Sequence, residues 1–252
     1  MGTRGRNKSV FENVEDIFSG ILARCILARS AHGMAAARSA DWGDSMYMRV
    51  TRFTSSTPID DKRVAEGGAR LNATFGQMRG YLGWAALLDR ASGKAASVVY
   101  WADAESMRAS EEAGNAVRAQ LASEGTEILG IQRMERLIQE SVGTPRSGTF
   151  ARITTLSLAP ERIDEMIADT RAVSVAPVKA QPGFRSFLVS ADRQSGRVSV
   201  ASVWESEAAR EASRGPMANE RQHTMERFGA SVESVEAYEI VGSDVKLPAP
   251  AS

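Results

Sequence analysis

An internal repeat constrains the fold of this 252-residue chain more than any other feature. A shift of 103 positions aligns residues 47–110 with residues 150–213 without a gap. Fourteen of these 64 positions are identical, including Arg49 with Arg152 and Trp101 with Trp204. One inserted residue later, Glu135 aligns with Glu239. Such a repeat predicts two copies of one folding unit joined in tandem.

A short motif recurs at the same place in both copies. The sequence Asp-Arg-x-Ser-Gly occupies residues 89–93 and 192–196, and a tryptophan follows eight residues after each glycine. Aspartate and glycine suit a short turn that needs a positive φ, so we expect a β-hairpin at both places. The motif is therefore interpreted as turn chemistry, and no catalytic role is assigned to it.

The pattern of apolar residues gives each copy the same order of elements. The first strands are predicted at 46–54 and 149–158, the longer second helices at 104–123 and 207–228, and the last strands at 127–138 and 231–241. With a first helix and the hairpin between them, the order is β-α-β-β-α-β. This is the ferredoxin-like plan, an α+β fold class.

The first helix of the second copy has a clear start signal. Pro160 stands at its first turn, where a missing backbone N–H costs nothing. Helical spacing predicts that Ile163, Ile167 and Val173 share one buried side of this helix.

A ferredoxin-like sheet carries both helices on one face, so its other apolar face must be covered. Two copies in one chain can cover each other as an intrachain barrel, and the alternative is pairing between chains as a homodimer. The predicted domains are residues 46–141 and 149–243, with a turn-rich linker at 142–148 and a flexible tail at 244–252.

Residues 1–45 differ from the repeat. A basic, glycine-rich start precedes a segment with helical spacing, so we expect a partly helical or flexible extension. Acidic residues and Arg24 interrupt its apolar runs, which excludes the pattern of a secretory signal, and the sequence has no stretch of the length needed to span a membrane. A helix that docks a partner is the alternative.

Charge and composition narrow the class of function. Lys+Arg and Asp+Glu both number 31, so the chain lacks the basic surplus of a duplex nucleic-acid binder. One cysteine cannot form an intramolecular disulfide, and with two histidines it cannot assemble a usual zinc site. We therefore expect a cytoplasmic protein without a metal centre.

Three features together resemble a known family. They are the strand at residues 46–53, the segment Pro182-Gly-Phe184, and the hairpin motif that leads to a tryptophan and an acidic helix. Each half resembles an antibiotic biosynthesis monooxygenase (ABM) domain of the dimeric α+β barrel superfamily. The resemblance covers about 190 residues. It implies two ferredoxin-like domains that pair as an α+β barrel.

The resemblance also implies a function. Well-known enzymes of this family oxidise aromatic or quinol-type substrates with O₂ and without a metal, flavin or other cofactor. Trp101 and Trp204 fall where the family has a tryptophan at its pocket, and His223 is a candidate base. These three residues are the candidate catalytic set.

Candidate substrate-binding residues lie mostly on the first strand of each half. A guanidinium can hold a phenolate or a carboxylate, which selects Arg49 and Arg152. Thr51 and Thr154 share the side of those arginines by strand alternation, and Tyr100 has no aromatic counterpart in the second half.

Structural roles are the alternatives for these residues. Each tryptophan could plug a core, each arginine could be paired outside the pocket, and His223 lies in a polar stretch typical of a solvated helix face. A related branch of the superfamily degrades haem with a strand-one Asn and a helix-two His. The matching positions here offer neither residue, which disfavours haem chemistry.

Three functions therefore stay open. The first is a small-molecule-binding, cofactor-independent monooxygenase of an aromatic or quinol-type substrate. The second is a non-catalytic ligand-binding or stress-related barrel. The third is an interaction module that docks through residues 1–45.

Overall fold

The computed structural model describes residues 46–142 and 146–245. In the first half, strands β1 (Tyr47–Ser55), β2 (Tyr81–Leu88), β3 (Lys94–Trp101) and β4 (Thr126–Ser141) alternate with helices in the predicted order. The helices are α1 (Asp61–Phe75), α2 (Ala104–Ala109) and α3 (Glu111–Ser123). The predicted extension at 1–45, the central linker residues and most of the tail lie outside the described residues.

The second half repeats this order. Its strands are β5 (Thr149–Ser157), β6 (Phe184–Asp192), β7 (Arg197–Trp204) and β8 (Ser231–Val245), and its helices are α4 (Ile163–Asp169), α5 (Val175–Lys179), α6 (Glu207–Ala212) and α7 (Arg214–Phe228). A 3₁₀ turn (Pro160–Arg162) precedes α4, and a π-helical turn (Thr170–Ser174) joins α4 to α5.

The eight strands close into one antiparallel barrel in the order β1-β3-β2-β8-β5-β7-β6-β4. The last strand of each half joins the two halves, because β4 pairs with both β1 and β6, and β8 pairs with both β5 and β2. The predicted α+β class, the ferredoxin-like halves and closure of the barrel within one chain are confirmed.

The strand registers follow the sequence repeat. Arg49 opposes Val99 on β3, and Arg152 opposes Ser202 on β7, a shift of 103 at both positions. Across the last strand, Tyr47 opposes Glu135 and Phe150 opposes Glu239, which includes the one inserted residue. The repeat in the sequence is therefore a repeat in three dimensions.

Three clusters of buried apolar residues pack against the sheet of the barrel. Two of them lie between the helices and the outer face of the sheet, one in each half. The first-half cluster includes Phe75 and Trp101, and the second-half cluster includes Ile163 and Trp204. A third cluster fills part of the barrel interior. Because strand residues alternate between faces, Arg49 faces the helices while Met48 faces the barrel interior.

Two details of the helices differ from the prediction. Ile163 and Ile167 are buried, but Val173 is 45% exposed, and Ser174 takes the buried position. The π-helical turn explains the error, because its wider turn changes the 3.6-residue spacing on which the prediction rested. The predicted second helices are also broken, at Ser110 and at Ser213.

Across the described ranges, no helix combines the length and the apolar character that a membrane crossing requires.

Candidate functional site

The two strand-one arginines meet the breaks in the second helices. Arg49 Nη2 donates to the Met107 carbonyl at 2.7 Å and to Ser110 Oγ at 2.9 Å. In the second half, Arg152 donates to Ser213 Oγ at 2.7 Å and to the Arg210 carbonyl at 2.5 Å. Each guanidinium thus satisfies a carbonyl at the end of a short helix and ties the helix to the sheet.

Arg49 is buried beside an ion network that the second half lacks. Glu111 lies 3.1 Å from Arg49 Nη2, 2.8 Å from Arg118 Nη2 and 2.6 Å from Arg133 Nη2. One carboxylate therefore faces three guanidinium groups, which leaves a local excess of positive charge. Burial lowers the pKa of Arg49, and the charge of Glu111 raises it.

The charge pattern of this helix break is reversed in the second half. Arg108 and Glu111 of the first half match Glu211 and Arg214 of the second. Glu211 pairs with Arg214 at 2.6 Å and with Arg210 at 3.3 Å. Within the described residues it makes no direct ion pair with Arg152. The repeat therefore conserves the arginine-to-helix brace but not its carboxylate.

A cavity of about 150 Å³ lies in the first half between helices α1 and α3 and the outer face of the sheet. Glu66 and Glu124, with Arg63 and Arg70, line its solvent end. Its walls are mostly apolar. The residues that line them include Arg49 and Thr51, together with Phe53, Leu71, Trp84, Ala86, Ala95, Ser97, Gly114 and Val117.

Trp84 lies in this wall. Its indole Nε1 atom is buried, and it makes no hydrogen bond within the part of the chain that the structure describes. The ring packs so closely on two glycines that a Cβ at Gly68 would lie 2.0 Å from it, and one at Gly242 would lie 2.9 Å away. These glycines are therefore required for the position of the ring.

The second half contributes to this first-half cavity through β8. The pairing of β2 with β8 is interrupted between Ala86, opposite Gly242, and Leu87, opposite Ile240. The extra residue of this bulge, Val241, lines the cavity. Bulges often redirect a side chain beside a functional site, and here the bulge completes the wall.

Two nitrogen atoms of Arg49 are also buried without hydrogen-bond partners, Nε and Nη1. Gly114 makes room for this guanidinium, because a Cβ at that position would lie 2.8 Å from Nη1. Buried donors without partners are rare, since each costs about 1–3 kcal/mol. Arg49 and Trp84 both line the first-half cavity, and together they hold three such donor atoms within the described residues.

The equivalent space in the second half is nearly filled, with a cavity of about 40 Å³. Met217 occupies the position of Gly114 and is 7% exposed. Val198 and Val200 similarly replace Ala95 and Ser97. These three larger side chains take up part of the space that is open in the first half, although Ser174 and Val178 are smaller than the matched Leu71 and Phe75.

The structure places both predicted tryptophans in the cores rather than in the walls of a cavity. Trp101 and Trp204 have 0% exposure and make edge contacts with Phe75 and Phe184. Trp204 Nε1 donates to Ser202 Oγ at 3.1 Å, whereas Trp101 has Val99 at that position and its Nε1 has no partner.

His223 lies on α7, 40% exposed, with Nε2 3.0 Å from an oxygen of Asp169. It does not line the second-half cavity, although the next residue, Thr224, does. Tyr100 lies on the other side of the sheet and lines the barrel interior. The predicted set is therefore divided among several places.

Only part of the predicted binding set comes together. Arg49 and Thr51 line the first-half cavity, and Thr154 lines the small cavity of the second half. Arg152 lines neither cavity. In the described part of the chain, no group of three or more His, Cys, Asp or Glu side chains is placed to hold a metal ion.

Trp84 and Gly114 were not identified from the sequence. The aligned repeat contained a signal for both, because Trp84 matches Phe187 and Gly114 matches Met217. A glycine in one copy that aligns with a bulky residue in the other copy indicates that the two copies differ in packed volume at that position. The consequence for a cavity can be inferred only when the second helix is known to pack on the strand that carries Arg49.

Comparison with known proteins defines the class. The family model described as Antibiotic biosynthesis monooxygenase matches residues 149–217. Residues 149–217 thus match an ABM domain, and the closed eight-stranded barrel agrees with the fold that the resemblance to this family predicted.

Two relatives are uncharacterized proteins of Mycobacterium tuberculosis. Rv2557 is 24% identical over 169 residues, which cover 67% of this chain and 75% of the relative. Rv2558 is 22% identical over 207 residues, which cover 82% and 88%.

Solved structures support the same fold. An anthrone oxidase-like protein is 18% identical, covers 82% of this chain and 95% of its own, and superposes with a TM-score of 0.61. A protein of Fusobacterium nucleatum whose monooxygenase activity is itself a proposal is 17% identical, with coverage of 81% and 95% and a TM-score of 0.56. At these identities the likeness is one of fold.

Proposed function

We propose that the first-half cavity binds a small aromatic molecule with an anionic oxygen, and that the bound molecule is a quinol-type substrate for O₂. The observation that carries the proposal is that Arg49 and Trp84, which both line one apolar cavity, hold three buried nitrogen donors without partners among the described residues. Pockets of this kind fix a ligand with a few polar groups and bind it with apolar walls.

The charge of the site favours an anion. Arg49 is held between the sheet and the helix break, and Glu111 must serve Arg118 and Arg133 as well. A phenolate or carboxylate oxygen at Arg49 would supply the missing acceptor for Nη1 or Nε. A hydrogen bond to a buried charged group is among the stronger ones, about 1.5–3 kcal/mol.

The volume sets the size of the ligand. An apolar cavity of about 150 Å³ accommodates a ring the size of benzene. One aromatic ring therefore fits inside, and a fused-ring substrate would extend between Glu66 and Glu124 toward solvent. This favours a single-ring phenol or quinol.

The chemistry needs no external reductant. A quinol and O₂ give a hydroxyquinone and water: one oxygen atom enters the ring, the other leaves as water, and the quinol supplies all four electrons. Arg49 would stabilise the phenolate that donates the first electron, because a fixed positive charge in an apolar site lowers the energy of the anion. The phenolic proton would leave to water at the open end.

Non-catalytic ligand binding is the second candidate. A specific observation favours it: among the described residues, those that line the first-half cavity include no histidine, cysteine or tyrosine. The site would then hold an aromatic anion without transforming it.

Two measurements separate these candidates. Titration calorimetry with salicylate, a single ring with a phenol and a carboxylate, should give one site per chain, and an oxygen electrode with methylhydroquinone should record O₂ uptake. Salicylate binding that is weakened by Arg49→Gln, with quinol oxidation, supports the proposal. Binding without O₂ uptake supports the second candidate, and absence of binding contradicts both.

Two predictions from the sequence, catalysis by the tryptophans or His223 and docking through residues 1–45, stay separate proposals. Oxidation through Trp101, Trp204 or His223 would show as a loss of O₂ uptake in Trp101→Phe, Trp204→Phe or His223→Gln without a loss of salicylate binding. Docking through residues 1–45 would show as a change in assembly when that segment is deleted.

A further inference from the structure

The interior of the barrel contains a second cavity that is distinct from the first-half cavity. Its volume is about 110 Å³, and residues of all eight strands line it. An eight-stranded barrel is either filled by its own side chains or holds one small ligand. A space of this size inside the barrel therefore needs an explanation.

At three pairs of matched positions that line this space, the second half has the smaller side chain, although Leu188 is larger than the matched Ala85. Met48, Leu87 and Val98 of the first half match Ala151, Ser190 and Ala201 of the second. All six residues line the cavity. The difference at these positions is opposite to that between Gly114 and Met217 on the helix side, where the second half has the larger residue.

Tyr100 places a hydroxyl in this apolar space. It lines the cavity, and within the described ranges its hydroxyl makes no hydrogen bond. The matched residue is Val203, so the hydroxyl is an addition to the repeat. Burial raises the pKa of Tyr100 to about 12, so the group is a neutral donor and acceptor near pH 7.

The charged groups near this cavity are already paired. Arg52 lines the cavity, but its Nε donates to Glu236 at 3.0 Å and its Nη1 donates to Gln132 at 2.5 Å. Tyr238 donates its hydroxyl to the other oxygen of Glu236 at 2.9 Å. An ionic ligand would find no free counter-charge here, and burial of its charge would be costly.

We propose that the barrel interior is a binding site for a small uncharged molecule with one carbonyl or hydroxyl oxygen, which pairs with the hydroxyl of Tyr100 while the apolar walls enclose the rest. A cavity of about 150 Å³ holds the six carbons of benzene, so by proportion about four or five heavy atoms fit in this one. The occupant differs from that of the first-half cavity in charge and in its anchoring group.

Cyclobutanone is a suitable probe, because it is uncharged, small enough for this space and carries one carbonyl. Its binding can be followed by NMR on protein with labelled methionine methyl groups. Met48 lines the cavity, and Met48→Leu identifies its signal. We expect a saturable shift of the Met48 methyl signal and a roughly 2- to 12-fold weaker affinity in Tyr100→Phe, the loss of one neutral hydrogen bond.

Variants that copy the first half test the location. Ser190→Leu places in the second half the residue that the first half carries at Leu87, and should weaken binding roughly tenfold or more by filling the space. Ala201→Val, which copies Val98, is the milder alternative if Ser190→Leu fails to fold. Gly114→Met closes the first-half cavity and should leave cyclobutanone binding unchanged.

Three results would overturn the proposal. They are no shift at Met48 up to the solubility of the ketone, an unchanged affinity in both Ser190→Leu and Ala201→Val, and a loss of binding in Gly114→Met. Salicylate binding is measured on the same variants, so failure of the first-half site is scored separately.

Discussion

The two halves of the barrel share a brace and differ in the space around it. Arg49 and Arg152 tie the strand to the break in the second helix in the same way. Gly114 on one helix and Met217 on the other contribute to the difference between a cavity of about 150 Å³ and one of about 40 Å³. The two halves therefore share the arginine that braces the strand against the helix, whereas residues that line the two cavities differ.

The same comparison reverses inside the barrel. There the first half supplies Met48 and Leu87, and the second half supplies Ala151 and Ser190 at the matched positions. At these positions the half with the smaller side chains differs between the two faces of the sheet. A tandem chain can do this because the two copies need not be identical, as they would be in a homodimer.

The largest expected effect concerns the filled half. Met217→Ala removes a buried side chain from the core of the second half and should lower the free energy of unfolding by about 2–5 kcal/mol. Chemical denaturation measures the loss. Met217→Leu, of similar volume, should cost less than about 1.5 kcal/mol. Equal and small losses in both would show that Met217 does not fill this space.

The next effect concerns the arginines. Arg49→Gln should weaken salicylate binding roughly 10- to 100-fold, because a charge-assisted hydrogen bond is lost. Arg152→Gln is the matched control, since Arg152 makes the same brace but lines neither cavity. Calorimetry on both variants, with their melting temperatures, compares them. Equal weakening would mean that the brace, and not the site, is measured.

A smaller effect concerns the indole groups. Trp84→Phe introduces the residue that the second half carries at that position and should weaken salicylate binding roughly 2- to 12-fold, the range of one neutral hydrogen bond. Trp101 also has a buried N–H without a partner but lies in the core, so Trp101→Phe should leave the affinity unchanged. The opposite order of effects would place the ligand at Trp101.

The smallest effect is the acid dependence of stability. Hydrogen bonding from Arg133 holds the pKa of Glu111 below its usual value, so Glu111 contributes stability above its unfolded pKa, and that stability is lost as the pH falls through its folded pKa. Between about pH 5 and pH 3, the unfolding free energy of Glu111→Gln should therefore fall less steeply than that of the parent.

Glu211 is the control for this dependence. Its pKa is also lowered, chiefly by hydrogen bonding from Arg214, but it is exposed and has no ion pair with the buried Arg152. Glu211→Gln should therefore follow the parent curve more closely. A flatter curve for Glu211→Gln than for Glu111→Gln would reverse the predicted difference between the halves.

The sequence predicted the fold well because the repeat and strand alternation are local signals. The hairpins, the strand order and the common face of Arg49 and Thr51 all follow from spacing along the chain. The π-helical turn did not, because the apolar pattern assumes a constant 3.6 residues per turn, and Val173 was misplaced as a result.

The candidate site was only partly predictable. Arg49 was found because a cation on a predicted strand is a visible signal. Trp84 and Gly114 were missed, because their roles depend on contacts between α1, α3 and β8 that no short sequence window contains. Trp101 drew attention through its identity across the repeat, which reflects a position shared by both cores.

Calorimetry of salicylate with the parent chain and with Gly114→Met tests the central claim most directly. The account predicts one site per chain in the parent and a loss of that site when the first half receives the methionine of the second, with the barrel still folded. Retention of full affinity in a folded Gly114→Met chain would contradict it.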